Sequence, residues 1–503
     1  MGLFVRKVRT ASGATAVQIA HTRRGVQSIV EHIGSAHDDA QLAALVQVAK
    51  DRIDAGQLAF DLDALTPGSP VTAAPTVVGS SSRVLWEVLE DAYARLGFDT
   101  VDDDVFRKLV LARVVEPTSK ADTIRVLDEL GIPAPSLRTI WRTLGRCVEH
   151  DWRDTVSRAA YAHATKAGGL SLVLYDVTTL YFEAEDEDEL RKVGMSKERR
   201  VDPQIVVGLL VTPGGFPLEV HAFTGNTAET VTLIPVLRSF QDRHGVKDIV
   251  VVADAGMLSA GNLNALEDAG FSFIVGSRIS KAPYDLAEYF TLGTALYDGE
   301  TLESKRVMGV GGNARERRVV YHYSAKRDRR DNHTLDKQIE RAQKVIDGTR
   351  PLKKDRFVKL TGTRRGIDQG LVDRARHVAG LKGYVTNIPA IRLDGHGVVA
   401  AYHDLFQVER SFRMAKTDLR ARPMFHHQHD SIQAHLTIVF TALAVARHLQ
   451  DVTGVSIRKL VRTLRPLRDI TIHIAGNEII ATTQPGPDAA AILDAITQPR
   501  DTH

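Results

Sequence analysis

Two short runs, SLVLYDV at 171–177 and DIVVVAD at 248–254, constrain the fold of this chain more than any other feature. Each is almost continuously apolar and too short for a typical helix, which suits a strand buried on both faces of a sheet. In each, an Asp appears where the apolar residues give out. Asp is a poor strand residue, and at the point where a buried strand emerges it puts a carboxylate at the sheet's edge, where open α/β sheets bind ligands. Taken singly, Asp176 or Asp254 reads first as a cap of the next turn or helix. As a pair at equivalent places in one inferred sheet, they weigh more as a site.

The surrounding pattern supports an α/β fold. Gln204 to Thr212, the turn Pro213-Gly214-Gly215 and Phe216 to Phe223 predict a β-hairpin. Thr230 to His244 has helical periodicity, as does Ser259 to Ala269, and FSFIVGS at 271–277 predicts a further strand. Residues 281–380 break the pattern with strand-like pieces at Lys305–Val310 and Arg317–Ser324 and a helix around His333–Ile346. They read as an insertion. The sheet resumes at GYVTNI, 383–388, followed by a helical stretch from about Tyr402 to Arg420 and an apolar helix, Ile432 to Leu449.

Ahead of the sheet, residues 66–82 are rich in Pro, Gly, Ser and Thr and carry no charge, which predicts a linker. Residues 1–82 then form a small α/β unit with that linker, with β-like runs within 3–19 and a helix over 39–55. Residues 83–168 predict an all-helical domain, in which Lys120–Leu130, Gly131 and a second helix from Ser136 to about Cys147 resemble a helix-turn-helix. The remaining divisions are 169–280 and 381–475 for the two parts of the sheet domain, with 281–380 between them and a mobile tail over 476–503.

Composition narrows the class. At 503 residues, 43% hydrophobic and 25% charged, the chain is ordinary globular material in several domains rather than a disordered or disulfide-framed one. Cys147 is its only cysteine, so no intramolecular disulfide and no multi-cysteine zinc site can form, and a reducing compartment fits. No run approaches 18 apolar residues, so a soluble cytoplasmic protein without a signal peptide or membrane span is expected. Net charge is only +3, yet residues 301–380 hold 21 Lys and Arg against 10 Asp and Glu. Such a segregated basic segment suits either a phosphate backbone or a solvated face.

A third acid joins the two aspartates through the helical stretch. Tyr402, Glu409 and Lys416 are spaced by seven along this helical stretch, so the three side chains form one stripe, with Arg413 at its edge. Convergent carboxylates stay ionised together when divalent cations neutralise them, and hard oxygen ligands suit Mg²⁺ or Mn²⁺. Two such ions about 4 Å apart activate an attacking oxygen and stabilise a leaving one in phosphoryl displacement. Other candidates read more blandly: the acidic run EAEDEDE at 183–189 as a solvated connection, His426, His427, His429 and His435 as phosphate contacts or caps, and Cys147 as a buried thiol. No GxxxxGK[ST] sequence occurs, which excludes a motor of that kind.

LYDVTTLYFE, GMSKERR, PQIVVGLLV, GNTAE, VVVADAGMLS, YVTN and YHDLFQVERSFRMAK, in that order over 170–450, resemble an insertion-sequence transposase of the DDE type, in the superfamily named for a Tyr, Arg, Glu, Lys signature. The resemblance implies an RNase H-like α/β core with a mainly β insertion between the second and third acids, preceded here by the all-helical domain. It implies Asp176, Asp254 and Glu409 as the catalytic acids holding two Mg²⁺ or Mn²⁺ ions. Tyr402, Arg410, Arg413, Lys416, Arg420 and Arg422 would contact DNA. The signature's Arg position falls on Leu405, a departure for which Arg410 or Arg413 could substitute. The implied activity is metal-dependent cleavage at element ends and strand transfer into target DNA, by a homodimer on paired terminal repeats. A nuclease that never joins strands and a DNA-binding protein without catalysis are the alternatives.

Overall fold

A computed structural model describes residues 3–10, 13–23, 26–55, 76–166, 168–183, 186–195, 202–246, 248–292, 295–351, 355–361, 364–426, 428–474 and 477–497. The chain divides into two compact units, one of residues 1–163 and 413–503, the other of 164–412.

In the first unit, β1 (Leu3–Arg9), β2 (Thr15–Arg23) and β3 (Val26–Ala36) form an antiparallel sheet. Against it packs α1 (Asp39–Ala55), through Ala49 on the sheet's Val17 and Ile19. Residues 66–75 of the expected linker lie outside the described residues. Its last part is no linker: β4 (Thr76–Ser81) is a strand. Then come α2 (Arg83–Arg95), α3 (Asp104–Val115), α4 (Thr123–Leu130), α5 (Leu137–Glu149) and α6 (Trp152–Ala164). The start of α5 follows its sequence signal, because the Ser136 side chain accepts the Thr139 N–H.

The second unit is built on an eight-stranded mixed sheet. Its elements begin with β5 (Leu172–Tyr181), β6 (Gln204–Val211), β7 (Pro217–Thr224), α7 (Glu229–His244), β8 (Val250–Ala253), α8 (Ala260–Asp268) and β9 (Ser272–Ser277). Short helices α9 (Ala282–Asp285) and α10 (Ala287–Leu292) lead to β10 (Thr301–Met308) and β11 (Arg315–Tyr323). After α11 (Ala325–Ile346), β12 (Val358–Thr361), β13 (Arg364–Ile367) and α12 (Gln369–His377), the chain returns as β14 (Leu381–Thr386), followed by α13 (Gly395–His403) and α14 (Phe406–Arg413). The strand order is β10-β11-β14-β9-β8-β5-β6-β7, with β5, β8 and β9 mutually parallel and every other neighbour pair antiparallel. This is a large mixed sheet of the kind an RNase H-like core requires.

The expected insertion is redrawn. β10 and β11 are not a separate β domain, because β11 pairs with β14 and extends the same sheet. The excursion outside the sheet is 325–380, and it is mostly helical: Leu335 and Ala342 of α11 and Val372 and Ala375 of α12 close a small core around Phe357. Carboxylates also pair with strand arginines of the basic segment. Arg306 binds Asp285, Arg315 and Arg317 bind Glu267, and Arg318 binds Glu303. The Arg317 side chain is wholly buried, so that part of the basic segment is neither a phosphate-facing nor a solvated surface.

The first unit is completed by α15 (His429–Thr453), α16 (Ile457–Leu464), β15 (Asp469–Ile474), β16 (Asn477–Thr482) and α17 (Pro487–Thr497). By length and apolarity α15 could cross a membrane, yet its apolar window is buried in the protein, packed against α3 and α5. It is the unit's core helix. The tail expected from 476 is instead structured through Thr497: β16 pairs with β15, which pairs on its other edge with β4, and α17 buries Ala489, Ile492 and Ile496 at helical spacing.

Candidate active site

Register brings the two aspartates together. The parallel ladder of β5 and β8 ends at the pair Tyr175–Ala253, so Asp176 and Asp254 are the next residues on adjacent strands. In-register neighbours on parallel strands share a face, and their Cα atoms lie about 4.8 Å apart. Asp176 does not close its strand as expected. β5 runs on to Tyr181 because β6 pairs with it from Leu174 to Tyr181, and what stops at Asp176 is the parallel partner. Asp254 does end its strand: its backbone is still extended and its carboxylate accepts the Ala255 N–H at 2.6 Å as a 3₁₀ turn begins.

Tyr402, at the end of α13, closes on this pair. Its buried hydroxyl donates to Asp254 Oδ1 at 3.1 Å. Burial, and then the Asp254 charge, hold that hydroxyl's pKa above the ordinary tyrosine value, with a further contribution from Asp176, so it remains a proton donor. The approach needs Gly276 on β9, since a Cβ there would stand 2.6 Å from the Tyr402 oxygen.

Lys382, on β14, is a cation of the site, and the sequence did not single it out. Its ammonium lies 4.4 Å from the Tyr402 ring centre and 5.7 Å from that of Tyr384. Burial, and then Arg327, lower its pKa, while Asp254 and Glu409 pull it back up. The fields of both acids therefore meet at this side chain. Glu229, at the start of α7, is a further carboxylate near the pair. Its Oε2 lies 3.0 Å from where a Cβ of Gly256 would stand, and the Tyr175 hydroxyl, whose pKa burial raises, also feels Asp176 and Glu229. The signal for Glu229 was its place in GNTAE; for Lys382 there was none.

The signature stripe is broken. Tyr402 and Glu409 lie on two helices, because the chain turns at Asp404–Leu405, and Met414–Asp418 continues as a π-helix with Leu419 N–H bonded to Met414 O. Seven-residue spacing therefore does not align Tyr402, Glu409 and Lys416. Leu405, at the signature's arginine position, is buried. Glu409, Arg410 and Arg413 are exposed on α14. Lys416, Arg420 and Arg422 belong to the first unit, where they line one cavity.

Hard carboxylate oxygens and the in-register pair fit a divalent cation in kind. Among the described residues, no group of three or more Asp, Glu, His or Cys side chains is gathered for one ion. Of the histidines at 426, 427, 429 and 435, His427 lies outside the described residues. The described part of the acidic run is a turn in which Asp188 accepts the Leu190 and Arg191 N–H groups, residues 184–185 lying outside the described residues. Residues 196–200 of GMSKERR lie outside them too. Cys147 is buried, its thiol pushed up to about 12 by that burial.

The family model described as "Transposase DDE domain" matches residues 167–445, more than half of the chain. Among solved structures the chain is similar to piggyBac transposase in a synaptic complex with hairpin DNA, at 10% identity and a TM-score of 0.37, covering 74% of this chain and 70% of that one. It is also similar to Mos1 transposase in a paired-end complex with the left transposon end, at 11% identity and a TM-score of 0.16, covering 50% of this chain and 73% of that one. No curated protein matches.

Proposed function

Since this chain belongs to the DDE transposase domain family, we propose that it cuts DNA at insertion-sequence ends and joins the freed strand to target DNA, as a member of the Tyr-Arg-Glu-Lys group. The observation that carries this reading is the in-register pair Asp176 and Asp254, with a tyrosine hydroxyl holding one of the four carboxylate oxygens.

Both reactions are phosphoryl transfers. In the first, water attacks a phosphodiester at the element's end and the P–O3′ bond breaks, leaving a 3′-OH and a 5′-phosphate. In the second, that 3′-OH attacks a target phosphodiester, forming a new P–O bond and releasing a target 3′-OH. Mg²⁺ or Mn²⁺, when bound, supplies charge neutralisation and activation of the attacking oxygen. Asp176 and Asp254 would hold the ions, and Glu409 would complete the ligand set. Tyr402 holds Asp254 by Oδ1, which leaves Oδ2 for an ion. Lys382 gives the site a fixed positive charge for the reacting phosphate. Arg410 and Arg413, exposed on the helix of Glu409, are suited to strand phosphates. Two chains on paired terminal repeats, acting on nucleoid DNA in the cytoplasm, complete the reading.

Asp176→Asn tests it. The substitution keeps shape and removes an anionic ligand, so binding to terminal-repeat duplex should persist while Mg²⁺-dependent cleavage is abolished; unaltered cleavage would overturn the assignment. Precut ends separate a transposase from a nuclease that only hydrolyses, because only the former joins them to target DNA.

A further inference from the structure

A cavity of 740 Å³ in the first unit is walled by Arg113, Lys120, Lys416, Arg420 and Arg422, with no Asp or Glu in its lining. Three other cavities of the same unit each include carboxylates, among them Glu116, Asp418 and Glu129. Two of the cations are deeply buried. Arg113, 6% exposed, donates to the backbone carbonyls of Arg420 at 2.7 Å and Thr118 at 3.4 Å. Lys120, also 6% exposed, forms no ion pair with any described residue. Burial, and then the Arg113 charge, drive the Lys120 pKa well down. Buried cations without a counter-charge are costly, and an anion entering the cavity offsets that cost.

Aromatic side chains stand at the same opening. Trp141 and Phe425 line the cavity and are 47% and 66% exposed. From Trp141 a run of rings leads inward, with His426 at 6.2 Å and the buried His435 a further 5.1 Å on. Cations that track phosphate beside exposed rings that accept base faces are the elements of single-strand binding, whereas a duplex keeps its base faces stacked inside.

We propose that this cavity binds a phosphate of an unpaired DNA strand, with Arg113 and Lys120 at its floor and a neighbouring base stacked on Trp141. The proposal rests on the DNA-processing reading above and deepens it: a protein that opens DNA ends has a separate seat for the strand it frees.

Tryptophan emission provides the test. Trp86 and Trp152 are buried, so Trp141 is the ring a ligand can quench. The full chain is titrated with a twelve-residue oligothymidine, the same-length duplex and inorganic phosphate. Oligothymidine should quench, the duplex should quench weakly, and phosphate alone should not. Trp141→Phe should weaken oligothymidine binding, followed by anisotropy, about five- to tenfold, and Lys120→Met should weaken it about tenfold and flatten its log–log salt dependence by about one. Unaltered affinity in both variants, equal quenching by duplex, or equal quenching by phosphate alone would each overturn the proposal. Trp141 is a surface residue, so its variant keeps the test valid should Lys120→Met fail to fold. Terminal-repeat duplex binding and Mg²⁺-dependent cleavage are measured on the same preparations. If they survive while no single strand binds, the cavity assignment falls alone; if neither duplex binding nor cleavage occurs in wild type, the transposase reading falls.

Discussion

Replacing Tyr402 by Phe removes one hydroxyl from the centre of the site and little else. The ring packs against Tyr384 at 4.8 Å and under the Lys382 ammonium, and Phe keeps both contacts. What disappears is the 3.1 Å hydrogen bond to Asp254 Oδ1, a bond to a charged acceptor of a class worth about 1.5–3 kcal/mol. Asp254 retains the Ala255 N–H, so its carboxylate is loosened rather than lost. Removing an outer partner of a metal-holding carboxylate typically lowers affinity about 10–100-fold, and one of two partners is removed here, which places the expected loss of Mn²⁺ affinity near the lower end, about tenfold. Mn²⁺ binding followed by electron paramagnetic resonance measures it without DNA. Gly276→Ala should do the same by a different route, since its Cβ would press on the Tyr402 oxygen. The two substitutions break one contact, so the double variant should be little worse than either single one. Unchanged Mn²⁺ affinity in Tyr402→Phe, with a loss confined to DNA affinity, would refute the reasoning and return Tyr402 to the strand-gripping role that the family resemblance implies.

Lys382→Met should tighten Mn²⁺ binding, by about fivefold if the lost repulsion is about 1 kcal/mol, while slowing DNA cleavage; unchanged or weaker Mn²⁺ binding would show that the ammonium lies outside the ions' field. In the first unit, Glu129 is a buried carboxylate held by Arg465 at 2.6 Å, Arg125 at 2.7 Å and Ser35 at 2.6 Å. Glu129→Gln removes one anion from a cluster in which Arg465 and Arg125 keep Glu116, and Arg125 also Asp122, so it should cost about 1.5–3 kcal/mol, read as a lower urea midpoint in tryptophan fluorescence, all three tryptophans lying in this unit. Burial pulls the Glu129 pKa up, but His32, Arg465, Ser35 and Arg125 outweigh it and hold the carboxyl well below its ordinary 4.5. A depressed carboxyl stabilises fully above its unfolded pKa and loses that contribution as pH falls toward the folded value. The wild-type midpoint should therefore drop on acidification below about pH 4.5, and more steeply than that of Glu129→Gln; parallel pH profiles would remove the network from the explanation.

The candidate site was legible where its determinants are local. Asp176 and Asp254 could be located because each follows an apolar run whose composition already dictates a buried strand. Glu409 came from the motif around it, and Glu229 lay unassigned inside another. Lys382 could not be found this way: one lysine before a glycine in a strand is unremarkable until α13 folds Tyr402 beneath it. The seven-residue stripe failed for a related reason, since periodicity assumes an unbroken helix and nothing local in HDLF announces the turn at Asp404.

By itself, the sequence determined an α/β chain with a helical N-terminal part, the caps and hairpin that punctuate it, and two acids at the ends of apolar runs, because these depend on the order of neighbouring residues. Only the tertiary structure decided that β10 and β11 join the main sheet, that acids distant in the chain pair with strand arginines of the basic segment, and that the cavity's cations come from residues 113–120 and 416–422. Strand pairing and charge pairing are contacts between segments far apart in sequence. Their free energy depends on distance and desolvation in the folded state, which no local pattern encodes.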